Sequence, residues 1–154
     1  MKEKISEILI SKFNERINIE KDVIDCVTVY LKSKDDLMSF MSYLKENEEL
    51  SFDLITDITA LDYPNRAERF VLVYHIFSIK NKERIRIKLP IKDGESVKSV
   101  TSIWRGAEWL EREVYDMFGI SFEGHPDLRR ILMTEDYKYH PLRKDFPLTG
   151  IEES

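Results

Sequence analysis

An α+β fold, with helices packed on one face of a mixed or antiparallel four-stranded sheet, is predicted by three features of the sequence. Period-two segments follow one another through the middle of the chain, two of them are joined by a short turn at Asn81-Lys82, and stretches with apolar residues three and four apart flank them. At 154 residues, 42% of them hydrophobic, the chain can bury one sizeable core. No internal repeat or low-complexity linker divides it. The reading is one domain over residues 1–133 and an extended C-terminal tail over 134–154, where periodicity stops.

From the N-terminus, Lys4 to Asn14 places Ile5, Ile8, Leu9 and Phe13 on one face and predicts a short amphipathic helix. Val23 to Leu31, rich in β-branched residues, predicts a strand. Ser33 and Asp36 can serve as N-cap and short capping partner for a helix whose buried stripe is Leu37, Phe40, Met41 and Leu44, ended by the acidic run from Glu46 to Glu49. Ser51 to Leu61 sets Phe52, Leu54, Thr56, Ile58 and Ala60 against Asp53, Ile55, Asp57 and Thr59, the pattern of a half-exposed strand. Tyr63-Pro64-Asn65 is turn chemistry. Phe70 to Ile79 is apolar on both faces, as a central strand is, and Glu83 to Ile91 alternates Arg84, Arg86 and Lys88 with Ile85, Ile87 and Leu89. Ser96 to Ile103 is predicted as a short helix leading into a longer one. That second helix has the stripe Ile103, Ala107, Leu110, Val114 and Met117 or Phe118, and stops at Gly119, which suits a left-handed C-cap.

Composition removes several classes of function. With 24 basic against 29 acidic residues, the formal charge of −5 argues against a binder of polyanions, so no nucleic-acid partner is expected. No apolar run approaches the roughly 18–20 residues of a membrane span, and the N-terminus lacks the apolar core of a signal peptide, which predicts a soluble cytoplasmic protein. The one cysteine, Cys26, excludes an internal disulfide and any iron–sulfur cluster held by this chain's cysteines alone. His75, His125 and His140 are far apart, His75 lies in an apolar strand, and no matching ligand set is in view. Glycine-rich phosphate or dinucleotide loops, GxSxG and CxxC are missing. Paired carboxylates do occur in the last helix, where Glu111 and Glu113 could be read as an acid/base pair. The spacing of Glu108, Arg112 and Asp116, four apart, favours instead a solvated or interfacial face laced by ion pairs.

The run Glu111-Arg112-Glu113, Asp116-Met117-Phe118-Gly119-Ile120, Phe122 and Gly124-His125-Pro126-Asp127-Leu128-Arg129-Arg130-Ile131-Leu132 closely resembles the signature of the 30-kDa subunit of respiratory complex I, the NuoC family. Pro141-Leu142-Arg143-Lys144-Asp145-Phe146-Pro147-Leu148 resembles the same family's C-terminal motif. Upstream the likeness is looser, resting on Leu61-Asp62-Tyr63 and on the two hairpin strands. The resemblance implies a subunit without flavin, cluster or metal of its own, in the peripheral arm at the cytoplasmic face of the membrane. Its partners would be the quinone-site 49-kDa (NuoD)-type subunit and neighbouring cluster-carrying subunits. Carried over by position, Glu111, Arg112, Glu113, Asp116, His125, Asp127, Arg129 and Arg130 organise the fold and docking surface. Arg143, Asp145 and Phe146 belong to a strap expected to lie extended on the 49-kDa-type partner. The alternatives are the equivalent subunit of a membrane-bound nickel–iron hydrogenase or related energy-converting complex, and a free-standing acid/base enzyme using Glu111 or Glu113.

Overall fold

A computed structural model describes residues 1–20, 25–129 and 140–145. Helix α1 (Lys2–Phe13) runs through a 3-10 turn into strand β1 (Ile17–Glu20); β2 (Val27–Leu31) and a second 3-10 turn precede α2 (Leu37–Glu46). Strands β3 (Leu54–Asp62), β4 (Phe70–Ser78) and β5 (Glu83–Ile91) follow, and then β6 (Val97–Lys98), α3 (Ala107–Phe118) and β7 (Phe122–Glu123). The main sheet has the order β1-β2-β5-β4-β3, and β6 and β7 form a separate two-stranded ladder. Only the β2–β5 pair of the main sheet is parallel, so the sheet is mixed.

The α+β class holds, but the main sheet has five strands where four are expected. The extra one is β1, whose Ile17 and Ile19 are too few to show a period; its pairing with β2, Ile17 opposite Leu31, supplies what its own sequence does not. The predicted helix over 96–103 is also corrected. Val97 and Lys98 pair in parallel with Phe122 and Glu123, and a tight turn, with Ile103 and Trp104 N–H both on the Val100 carbonyl, leads into α3. In β3 the register shifts between Ile55 and Asp57, so Ile55, Ile58, Ala60 and Asp62 are buried whereas Leu54, expected on the same side as Ile58, is 46% exposed. A one-residue irregularity reverses the face of everything before it.

One face of the sheet carries the core. Leu72, Tyr74 and Ile76 of β4 and Ile85, Ile87 and Leu89 of β5 are fully buried there, with Ile5 and Leu9 of α1 and Leu37, Phe40, Met41 and Leu44 of α2. Phe13 closes on Phe40 with ring centroids 4.9 Å apart. The other face is polar: Arg86 bonds His75 Nε2 at 3.0 Å and Asp25 at 2.9 Å, and Lys88 reaches Glu20 at 3.3 Å. Burial and Arg86 hold His75 below the usual histidine range, so it is a neutral acceptor there and not an available ligand.

The entry to α3 is pinned at two points. Buried Trp104 donates from Nε1 to the Phe52 carbonyl at 3.0 Å, and Lys45 Nζ reaches the Ile103 carbonyl at 2.5 Å. Trp104→Phe keeps most of the apolar contact but leaves the buried Phe52 carbonyl unpaired, and is expected to cost about 1–3 kcal/mol. Urea denaturation checks this, and an unchanged midpoint would contradict it.

Candidate functional site

The residues singled out by sequence gather around α3, the loop after it and the segment 140–145. Gly119 ends α3 at φ 78°, its N–H on the Tyr115 carbonyl at 2.8 Å. A side chain here would be strained by φ and would meet the His140 ring, 2.8 Å from the position of a Cβ.

Of the expected apolar stripe, Ile103, Ala107, Val114 and Phe118 are buried, and Leu110 and Met117 pack against the core partly buried. Glu111 lies on that same inward face, 0% exposed, where its charge predicts an outward position. Its spacing from Ala107 and Val114, four and three residues, puts it on the stripe, and polarity alone argues otherwise. Ser99 Oγ is 2.5 Å from Glu111 Oε1, and the Val100 N–H donates to Oε2 at 2.9 Å. Burial pushes the Glu111 carboxyl up to about 7, against the downward pull of those two contacts. Glu113 stands outside, accepting from Trp109 Nε1 at 2.9 Å. One carboxylate is enclosed in the core and the other is on the surface, so the two do not face a common cleft, and the acid/base pair is not formed.

The expected Glu108–Arg112–Asp116 ladder is replaced by a different set of bonds. Arg112 donates from Nε to the Arg129 carbonyl at 3.2 Å and stacks 5.5 Å from the Trp109 ring. The carbonyl of Glu108 takes a hydrogen bond from His125 Nε2 at 2.8 Å, while His125 Nδ1 accepts the Asp127 N–H at 2.9 Å. A carbonyl can only accept and an N–H only donate, so the ring is held as the neutral Nε2–H tautomer and ties the loop to the helix. Asp127 pairs with Arg129 at 3.0 Å. Asp116 is fully buried, and its carbonyl accepts from His140 Nδ1 at 2.9 Å. Arg130 and Phe146 lie outside the described residues.

Residues 140–145 run in turns against their own domain, where an extended strap on another subunit is expected from the motif. The Leu142 N–H donates to the Met117 carbonyl at 3.0 Å, while the Leu142 side chain remains 56% exposed. Arg143 bonds Asp93 at 2.7 Å and Asp145 at 3.1 Å. The Lys144 N–H reaches Asp62 Oδ2 at 2.7 Å. Asp62 is gripped in turn by Arg69, Nε to Oδ1 at 2.7 Å and Nη2 to Oδ2 at 2.9 Å, and Arg69 also meets Asp145 at 3.3 Å. Hydrogen bonding to Arg69 holds the Asp62 carboxyl below the usual range. Sequence reasoning misses Asp62, Arg69 and Asp93 as members of this cluster. Their nearest signal is charge at both ends of the turn between two strands, and their partners stand as much as 82 positions away.

Asp62→Asn leaves a largely buried Arg69 without its counter-charge and should destabilise by about 3 kcal/mol at pH 7. Because the folded value is depressed, that difference is present above the unperturbed 3.8 and closes as pH falls through the folded value, which denaturation at several pH values measures. Gly119→Ala should cost at least about 1 kcal/mol and free His140 from the Asp116 carbonyl, seen as a shifted His140 ring resonance.

Residues 30–152 match the family model described as the 30-kDa subunit of respiratory-chain NADH dehydrogenase. An NADH-quinone oxidoreductase subunit of the NuoC type from Geotalea uraniireducens is 49% identical over 140 residues, covering 90% of this chain and 84% of that one. Its counterpart in Geobacter metallireducens is 46% identical over 141 residues, 90% of this chain and 85% of that one. The mitochondrial NADH dehydrogenase (ubiquinone) iron-sulfur protein 3 of Candida albicans is 43% identical over 142 residues, 92% of this chain but 50% of its own length. Among solved structures, a trypsin-resistant fragment (1-134) of Nqo5 superposes with TM-score 0.70 at 32% identity, covering 82% of this chain and 98% of the fragment. A chain of the membrane-bound sulfane sulfur reductase, an archaeal respiratory membrane complex, gives TM-score 0.80 at 26% identity, covering 95% and 85%.

Proposed function

This chain belongs to the 30-kDa subunit family of the respiratory-chain NADH dehydrogenases, and from that premise we propose that it is a scaffold subunit of an NADH:quinone oxidoreductase. It packs beside the 49-kDa (NuoD)-type subunit in the peripheral arm, while flavin and iron–sulfur clusters are held by partner subunits. The observation that carries the reading is how the signature charges are used. Arg112, His125, Asp127, Arg143 and Asp145 tie a loop and the C-terminal motif to α3 and the sheet, as a docking surface requires. The single cysteine supports the placing of clusters elsewhere. Among the described residues no helix is long and apolar enough to cross a membrane, and in this reading attachment to one goes through the complex.

Trp109, 53% exposed yet fixed by Glu113 and Arg112, is the best-placed anchor on the outer face of α3. Co-expressed with the 49-kDa-type subunit of its own organism, the tagged chain should retain it through purification, and Trp109→Ala should weaken retention at least tenfold without lowering thermal stability. The chain alone should oxidise no NADH. Turnover without partners, or a chain that never retains the 49-kDa-type subunit, would overturn the proposal. The likeness to the sulfane sulfur reductase chain supports a second reading, the equivalent subunit of a related energy-converting complex. Mass spectrometry of the co-purified partners separates the two by the presence or absence of NADH-oxidising flavoprotein subunits.

A further inference from the structure

Glu111 is the one signature charge enclosed in the core with no cation beside it among the described residues. Several elements converge on it. From the turn before α3 come the Ser99 hydroxyl and the Val100 N–H. From β4 comes Tyr74, fully buried, whose hydroxyl has no hydrogen-bond partner and which burial, with Glu111 nearby, keeps protonated. On the core side of β3, Asp62 is held in its own fork by Arg69. On α3 itself, Arg112 is turned to the Arg129 carbonyl.

An ionised carboxylate has about four acceptor positions, and this one meets two donors. A neutral carboxylic acid fits better. Its O–H can donate across the short contact to Ser99 Oγ, its other oxygen accepts the Val100 N–H, and Ser99 Oγ also accepts the Thr101 N–H at 3.2 Å and donates to Thr101 Oγ1 at 2.8 Å. Every group in that chain then has a partner. Ser99 also carries the ladder outward: its N–H donates to the Glu123 carbonyl at 2.8 Å, and the Val97 N–H donates to the Ser121 carbonyl at 3.1 Å. Whatever loosens Ser99 therefore loosens the contact between β6 and β7, the start of the loop that bears His125.

We propose that Glu111 is a proton-operated latch: as the neutral acid it fastens α3 to the Ser99–Thr101 turn and the β6–β7 ladder, and as the carboxylate it weakens that fastening. The direction follows from linkage. A group whose folded value is raised from 4.5 to about 7 stabilises the closed arrangement fully below 4.5, and that contribution is lost as pH rises through about 7.

Amide hydrogen exchange on the full chain reads the latch directly. After correction for intrinsic exchange rates, protection at Val97, Ser99 and Phe122 should fall roughly tenfold between pH 6 and pH 8 in the wild type. In Glu111→Gln, which keeps one acceptor and one donor but cannot ionise, protection should be flat over that range. A second measurement needs no variant: with glutamate labelled at the side-chain carboxyl carbon, one resonance of the wild type should titrate well above the others. Equal pH profiles for wild type and variant, or no glutamate titrating above the rest, would overturn the proposal.

Discussion

The β4–β5 hairpin is the constraint from which the rest of the structure is hung. Nine consecutive residue pairs, from Phe70 opposite Ile91 to Ser78 opposite Glu83, leave no freedom in register, and that register decides which side chains of both strands face the helices. A slip of one residue would bring Arg84, Arg86 and Lys88 to the core face and send Ile85, Ile87 and Leu89 to the polar one. Strand β2 joins the far edge of β5 in parallel and β3 joins the far edge of β4 antiparallel, so the two crossover helices are delivered to one face. Tyr74, in the middle of this hairpin, is also the core residue against which Glu111 is placed.

The same frame explains how the charged residues are divided. At the end of β3, Asp62 lies on the core side yet close enough to the rim for Arg69 and the Lys144 N–H to reach it. The fork gives a buried carboxylate its counter-charge and at the same time an attachment point for a segment far along the chain. Arg69 and Arg143 both stack 5.2 Å from the Phe70 ring, so one aromatic side chain at the start of β4 carries two cations of the cluster. At the opposite margin of α3, contacts to backbone carbonyls do the corresponding work, His125 on Glu108 and Arg112 on Arg129. In the family reading, a rigid surface is what a scaffold subunit presents, because side chains already ordered lose little freedom when a partner docks.

Much of this is legible from residues alone where periodicity is strong. The stripes of α1 and α2, the two-sided burial of β4 and the alternation of β5 hold as read, because a face buried by many neighbours leaves its period in the sequence. Legibility fails where an element is short or irregular. Four-residue β1 and two-residue β6 exist by virtue of their partners, and the shift within β3 inverts an alternation that looks regular.

For the site, sequence names the right region and misjudges the role of its parts. By itself the chain determined an α+β domain, the helix ending at Gly119, and the family signature from Glu111 to Leu132, since composition, spacing and motif are properties of the string. Only the tertiary structure decided that Glu111 faces the core while Glu113 faces out, that Arg112 bonds a loop carbonyl in place of Glu108 and Asp116, and that Asp62, Arg69 and Asp93 belong with Arg143 and Asp145. The reason is physical. The charge state and partner of a polar side chain depend on the dielectric and donors that other segments bring to it, and those segments lie tens of positions away along the chain.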